Sequence, residues 1–396
     1  MPRVLLLLPT ATYRAPDFLA AARALDVEVV VGSEDLPALA TATGNRAIEL
    51  ALEDPEAAAE TIARLDARAP IDAVIAVDDQ GLLVAAHAGE RLGFPHNAPE
   101  VVARTRDKAS MRAALRAAEV SQPAYAVFDD PDEVPHLGFP CVVKPVGLSG
   151  SRGVIRADDA PGARAAARRA YDIAGGGPLL VEEYIAGDEV AVEGLLRGGQ
   201  LSVLAVFDKP DPLIGPYFEE TIYVTPSRLT TATLDTIERT TRAAVAALGL
   251  IEGPVHAELR IRDSRAWIIE VAARSIGGLC ARTLRFGAGI SLEELVLRHA
   301  LGRELDGLAR ESTASGVMML PIAHHGHLVA VHGQDAARAV PGIVGLEITI
   351  APGKPMRPLP EGDRYLGFLF ARRDTPEAVE AALRTAHAAL SVEIGP

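Results

Sequence analysis

Up to about Pro95 the chain alternates apolar runs of strand length with stretches of helical period: 4–8, then 18–25, then 27–31 before Gly32-Ser33, and later 71–77 and 81–92. Strands that are apolar throughout, rather than every second residue, are buried on both faces, as in a parallel sheet covered by helices. The alternation therefore predicts βαβ units and an α/β domain at the start of the chain. The first strand runs into Pro9-Thr10-Ala11-Thr12-Tyr13, without a G-x-G-x-x-G. That excludes a strict dinucleotide-binding fold, because a pyrophosphate would find no close backbone approach.

Beyond this domain the pattern changes. Helical segments are expected at 99–104 and 107–118, the second carrying Lys108 in its first turn. From 124 to 205, short β-branched strands (141–144, 181–185, 190–196) surround an Ala/Arg-rich helix at 160–174, which predicts a smaller α+β module. A helix over 229–248 stops at Gly249, and the runs 255–261 and 267–271, joined by Arg262-Asp263-Ser264-Arg265, read as a hairpin. A helix at 291–301, a Gly- and Pro-rich region of short strands at 316–369 and a last helix at 376–390 complete the chain. The expected division is an N-terminal domain 1–97, a central module 98–305 with a subdomain at about 120–200, and a small α+β C-terminal domain 306–396.

The net charge of −14 and pI near 5.2 disfavour a nucleic-acid binder or a polybasic membrane anchor. No apolar run approaches the roughly 20 residues of a membrane span. Met1-Pro2-Arg3 and the short run behind it read as a buried strand, not an export signal. Cys141 and Cys280 form no C-x-x-C, which fits a reducing cytoplasm. Only four of the 39 basic residues are lysines: Lys108, Lys144, Lys209 and Lys354. Arg and Lys are not interchangeable where a compact ammonium meets a phosphate oxygen, so each lysine is a candidate for that role.

Three segments carry candidate chemistry. Lys144 is followed by a turn, 147–154, containing Gly147, Ser149, Gly150, Ser151 and Gly153; such a turn can wrap backbone N–H groups around phosphate while the ammonium contacts it from one side. In Glu182-Glu183-Tyr184-Ile185-Ala186-Gly187-Asp188-Glu189, strand alternation puts Glu182 and Tyr184 on one face and Glu183 and Ile185 on the other. The backbone there could pair with an adenine edge and Glu189 accept ribose hydroxyls; a surface strand with solvated glutamates is the alternative. In the predicted hairpin, Glu258 and Glu270 stand on facing strands, a pair of oxygen ligands suited to Mg²⁺. Glu270 lies within an apolar strand and requires a partner; Arg274 is a candidate. His256 shares a strand face with Glu258 and is either a substrate- or nucleotide-orienting group or a plain hydrogen-bonded histidine. A metal site at His324, His325, His327 and His332 has no acid or cysteine beside it in support.

Taken in order, these features resemble the ATP-grasp superfamily over roughly residues 1–300. The resemblance implies ATP and Mg²⁺ (or Mn²⁺) as cofactors. It assigns phosphate contacts to Lys108 and Lys144, a closing flap to 147–154, nucleotide contacts to Glu182, Glu183, Tyr184, Ile185, Glu189 and His256, and the metal to Glu258 and Glu270. Relatives often continue the second metal carboxylate as E-x-N, whereas Ala272 stands there in this chain. Within the superfamily the chain looks most like the L-amino-acid ligases that make dipeptides. That likeness rests on Arg274, on Phe218-Glu219-Glu220 followed by Pro226, and on a C-terminal part with Tyr365-Leu366-Gly367-Phe368. It implies that Arg274 holds substrate near an acyl phosphate, that Glu220 faces a substrate amine, and that partners are small-molecule amino-acid substrates, with a homodimer a family expectation. Other carboxylate-activating members, such as purine-pathway or biotin-carboxylase-like enzymes, and a non-catalytic nucleotide binder are the alternatives.

Overall fold

The structure, a computed structural model, describes residues 1–10, 12–35, 46–305 and 309–396. Strands β1 (Arg3–Leu7), β2 (Glu28–Ser33), β3 (Ala47–Glu49) and β4 (Ala73–Ala76) form a parallel sheet in the order β3-β2-β1-β4. Alternate residues of β1 serve opposite faces: Val4 and Leu6 pack with Phe18 of α1 (Ala15–Ala24), while Leu5 and Leu7 pack with Ile62 of α2 (Pro55–Arg68) and Val84 of α3 (Leu82–Leu92). The continuous apolar run of β1 is thereby explained. At the C-terminal ends of these strands lie Arg14, Asp78 and the turn Asp79–Gly81.

Two helices follow, α4 (Pro99–Arg106) and α5 (Lys108–Ala117). Asp107 caps α5, its carboxylate accepting from Ser110 N at 2.6 Å, so the cap places Lys108 at the first helical position. A separate antiparallel sheet is built from β5 (Tyr125–Phe128), β6 (Cys141–Pro145), β7 (Ile155–Ala157) and β8 (Leu179–Glu183), in the order β5-β8-β6-β7. Against it lies α6 (Ala160–Ala174), which presents Ala163, Ala166, Ala167 and Ala170 to the sheet.

The largest sheet has eight antiparallel strands. Along the chain these are β9 (Asp188–Arg197), β10 (Gln200–Lys209), β11 (Ile222–Thr225), then helix α7 (Thr231–Leu248), then β12 (Gly253–Arg262) and β13 (Arg265–Ala272). After α8 (Leu292–Ala300) come β14 (Ala314–Leu320), β15 (Gly326–His332), α9 (Gln334–Arg338), β16 (Ile343–Ile348), β17 (Pro355–Met356), β18 (Gly367–Arg373), α10 (Pro376–Ala388) and β19 (Ser391–Gly395). The strand order is β13-β12-β9-β10-β11-β14-β18-β16, and β17-β15-β19 make a small sheet of their own.

Two expectations change. The strand at 190–196, grouped from sequence with the small module, is part of β9 in the large sheet, where it pairs with both β10 and β12. The C-terminal segment is likewise continuous with the large sheet, because β14 pairs with β11. Local apolar pattern marks a strand but says nothing about which sheet takes it up.

The link from β8 to β9 turns at Gly187, whose φ is +125°. A Cβ built there would lie 2.0 Å from Ile261 O. We expect Gly187→Ala to destabilise the protein by about 2–5 kcal/mol, through backbone strain plus overpacking. Urea unfolding at neutral pH measures it; a loss below about 1 kcal/mol would contradict this packing.

Candidate active site

The hairpin β12–β13 closes through Asp263 and Ser264, both left-handed at φ 51° and 59°, as a two-residue primed turn requires. Counting back from the Arg262–Arg265 pair, a regular ladder would set Glu258 opposite Ile269 and turn Glu270 to the other face. Instead the register shifts by one between Leu259–Ile268 and Glu258–Glu270. The extra residue is Ile269, a β-bulge, and it brings the two carboxylates onto one face. Arg112 of α5 covers the disturbed backbone, donating from Nη1 to Ile268 O at 3.2 Å and from Nη2 to Ile269 O at 2.7 Å. Its Nε donates to Glu182 Oε1 at 2.5 Å, and Lys144 Nζ lies 2.7 Å from Glu182 Oε2.

Glu182 is thus a buried carboxylate between two cations. Burial opposes its ionisation, but Arg112 and then Lys144 outweigh it, holding the carboxyl at about 2. Lys144 is pushed the other way, downward, by its own burial and by Arg112 and Lys108, with Glu182 only partly restoring it. Lys108 donates from Nζ to Leu148 O in the flap turn and lies 3.8 Å from Glu270 Oε1. Its backbone N–H donates to Val146 O, so α5 is tied to the end of β6.

A second knot of charge lies beside the first. Lys209 Nζ, at the end of β10, is 2.8 Å from Glu189, 2.5 Å from Glu220 and 3.2 Å from Glu258. Burial works against this ammonium, yet the three carboxylates raise its pKa well above the ordinary value. Burial also raises the carboxyl of Glu220, which faces Glu258, whereas Lys209 and His256 hold Glu258 low. Arg260 fixes the far side, donating to Glu189 at 2.7 Å, to Ile185 O at 2.9 Å and to Leu213 O. Among the described residues, Glu189, Glu220 and Glu258 are the one group of three such side chains close enough to share an ion. The histidines at 324–332 do not converge: His327 Nδ1 meets Pro396 O and His332 meets Glu393.

An open cavity of about 700 Å³, mouth included, is lined by Lys108, Lys144, Ser149, Ser151, Glu182, Glu183, Tyr184, Ile185, Glu189, Glu220, Glu258 and Glu270. A separate cavity, bordered by Ala73, Phe94, Val296 and His299, contains none of these groups. Gly150 and Gly153 shape the flap turn with φ of +66° and +68°, and Gly153 donates to Pro360 O at 3.0 Å.

Two sequence expectations are corrected in position, and of the two readings of His256 the plain histidine is the one seen. Strand β8 ends at Glu183, so Tyr184 does not continue the alternation with Glu182; its ring lies instead near Phe218, centroids 6.3 Å apart, with Arg260 5.0 Å away. Arg274 feels the charge of Glu270 but forms no ion pair with it, and it is not among the residues lining the cavity. It holds Asp79 with both oxygens, Nε to Oδ1 at 2.8 Å and Nη2 to Oδ2 at 3.0 Å. His256 is a hydrogen-bonded histidine between Glu193 (3.1 Å) and Glu258 (3.5 Å), away from the cavity wall. Residues missed from the sequence are Arg112, Arg260 and Asp79; the scarcity of lysine singled out Lys209, but as a phosphate contact and not as the partner of three carboxylates.

With this geometry in hand, comparison with known proteins gives three family matches: an ATP-grasp domain at residues 137–283, an ATP-grasp N-terminal domain at 19–96 and an L-amino acid ligase C-terminal domain at 318–395. The chain belongs to the ATP-grasp ligases. The alanine–anticapsin ligase of Bacillus subtilis is 26% identical over 279 residues, 63% of this chain and 58% of that enzyme. The match therefore spans little more than half of that relative's length. The Sinorhizobium fredii protein y4rH is 24% identical over all of this chain and 84% of its own. The crystal structure of the L-amino acid ligase from Bacillus licheniformis superposes with a TM-score of 0.85 at 26% identity, covering 100% of this chain and 99% of that one. No helix among the described residues of this ATP-grasp ligase is long and apolar enough to cross a membrane.

The depressed pKa of Glu182 has a consequence for acid stability. A carboxyl at about 2 in the fold against an ordinary 4.5 stabilises the protein above pH 4.5, and that contribution is lost as pH falls through about 2. It amounts to on the order of 3 kcal/mol. In urea unfolding, Glu182→Gln should be less stable than the parent at pH 6, the gap narrowing by pH 2.5. A gap of constant size would show that Glu182 is not held ionised by Arg112 and Lys144.

Proposed function

We propose that the protein transfers the γ-phosphoryl group of ATP to the carboxylate of one amino acid and joins the resulting acyl phosphate to the amine of a second, releasing ADP and phosphate. The observation that carries this reading is the pairing of Glu258 with Glu270 on one face, inside a cavity that also receives Lys108 and Lys144. The L-amino acid ligase match at residues 318–395 supports amino acids as substrates over purine or bicarbonate chemistry.

The chemistry demands three things of the chain. A carboxylate is a poor acyl donor because oxide would be its leaving group, so it must first become a mixed anhydride. Negative charge on the transferring phosphoryl must be neutralised by groups already in place. Lys108 and Lys144 are the ammonium groups available on the cavity wall. Water must then be kept from the acyl phosphate. The 147–154 turn, tied by Gly153 to Pro360, would do this. Finally the incoming amine attacks the carbonyl carbon, a C–N bond forms and the C–O bond to phosphate breaks.

Glu258 and Glu270 fit Mg²⁺: both are oxygen donors, directly opposed, with side chains 21% and 32% exposed and open to the cavity. Bound there, the ion would neutralise polyphosphate charge. Ala272, 8% exposed, offers no ligand, so any further ligands to a second ion would come from water or substrate. Glu182, Glu183, Tyr184, Ile185 and Glu189 line the nucleotide part of the cavity, and Glu189 is oriented by both Lys209 and Arg260. Glu220 would hold the ammonium of the first amino acid and Arg274 its activated carboxyl group.

The test is phosphate release from Mg-ATP by the purified protein over single and paired L-amino acids, with product masses read in parallel. We expect release that requires amino acids and a product of their summed mass less one water. Lys144→Ala should lower kcat/KM by about 10²–10³-fold, the usual loss for a charge-stabilising group. ATP binding with no product from any pair would overturn the substrate assignment, and near-normal turnover in Lys144→Ala would overturn the phosphate assignment.

A further inference from the structure

Arg274 and Asp79 belong to different parts of the chain. Arg274 follows β13, two residues beyond its end, and Asp79 opens the turn after β4 of the N-terminal sheet. Their contact is a bidentate fork at 2.8 and 3.0 Å, the geometry that fixes the plane of a guanidinium as well as its charge. The neighbouring residues are held just as firmly. Ser275 Oγ accepts from the buried Arg14 at 2.7 Å, and Ile276 N–H donates to both oxygens of Glu193 at 2.9 and 3.0 Å. Three consecutive residues are thus anchored, two of them by side chains of the N-terminal domain.

The donor inventory of Arg274 makes the point sharper. A guanidinium has five N–H donors. Asp79 takes one on Nε and one on Nη2, and Ser275 O takes one on Nη1 at 3.1 Å. One donor on Nη1 and one on Nη2 are left, the number needed to grip a carboxylate or acyl phosphate by two oxygens. Side-chain exposures of 16% for Arg274 and 26% for Asp79 leave this pair reachable yet largely desolvated.

We infer that Asp79 is a positioning residue: from the N-terminal domain, it sets the guanidinium of Arg274 so that its two remaining donors meet the activated carboxyl group of the acyl-donor amino acid. This rests on the reading of Arg274 given under the proposed function. The N-terminal domain then contributes to the chemical step without touching substrate. Asp79 also adjoins Arg106 and Lys108 electrostatically, so its charge is compensated from both sides of the interdomain junction.

The experiment is steady-state kinetics of the full-length protein with an amino-acid pair taken from the panel, for Asp79→Ala, Asp79→Asn, Arg274→Ala and the Asp79→Ala/Arg274→Ala double variant, with ATP affinity and thermal unfolding measured alongside. Asp79→Ala should lower kcat/KM for the acyl donor by about 10–100-fold, the cost usually met on removing a group that orients a reacting one. The KM for ATP should stay within about twofold. Asp79→Asn, which keeps one acceptor, should fall between Asp79→Ala and the parent, and the double variant should lose no more than Arg274→Ala. If Asp79→Ala instead lowers the KM for the acyl donor, Asp79 competes with substrate for Arg274 and the inference fails. If both Asp79 variants match the parent while Arg274→Ala is impaired, the inference fails and the role of Arg274 stands. If Arg274→Ala itself is unimpaired, both fail together.

Discussion

One extra residue in one strand decides the chemistry of the cavity. The primed turn at Asp263-Ser264 fixes where the ladder of β12 and β13 begins, and without the bulge at Ile269 the two carboxylates would stand on opposite faces of the sheet. A bulge leaves backbone carbonyls without ladder partners, and buried carbonyls require donors. Arg112 supplies them from α5, and its remaining Nε fixes Glu182, which in turn fixes Lys144. A chain of contacts therefore runs from a backbone irregularity to a phosphate-binding candidate, and no member of it can be exchanged alone. Arg112 is fully buried, so removing its partners would strand a charge at a cost of several kcal/mol.

The same logic explains why so many acids share one cavity. Glu182, Glu189, Glu220 and Glu258 are all largely withdrawn from water, and each unpaired carboxylate there would cost more than folding can offset. Built-in cations resolve this: Arg112 and Lys144 at one end, Lys209 and Arg260 at the other. The groups are thereby held at fixed spacing before any ligand arrives, which is what electrostatic stabilisation of a reacting phosphoryl requires. Lys209 has a further effect. Its ammonium lowers both Glu220 and Glu258, yet burial and the charge of Glu258 leave Glu220 raised, whereas His256 joins Lys209 in holding Glu258 low, so the two differ within a single cluster.

Much of this was legible in the sequence, and the boundary is physical. The parallel sheet, the hairpin, the flap turn after Lys144 and the pair Glu258/Glu270 are written in local pattern: apolar runs, turn residues, an acid inside an apolar strand. Arg112, Arg260 and Asp79 are not, because an arginine on a helix, an arginine on a strand or an aspartate after a strand looks the same whether it faces water or a buried acid. Their roles arise from partners 70, 71 and 195 residues away. Misplacing the partner of Glu270 has the same origin: Arg274 is near it in sequence, but Asp79 reaches Arg274 from another domain with better geometry. The bulge too is invisible to counting, since a run of apolar residues does not show which of them goes unpaired.

The small sheet of β5–β8 is held unequally at its two edges. It has a core of its own, with Cys141, Val143, Ile155 and Val181 packed on the alanines of α6. Its ties to the loops opposite are fewer and more exposed: Gly153 to Pro360, Arg156 to Pro216, and Arg169 to Glu361 and Tyr217. Hydrogen bonds of this kind contribute about 0.5–1.5 kcal/mol each, far less than the burial that holds each core together. The inner edge is held far more firmly, because Glu182 of β8 meets the fully buried Arg112 while Val146 and Leu148 accept from Lys108, so the outer edge is the side of this sheet that is cheaper to release. The segment that carries Arg274 is held differently: residues 274–276 are gripped by Asp79, Arg14 and Glu193, of which Arg14 and Glu193 are buried.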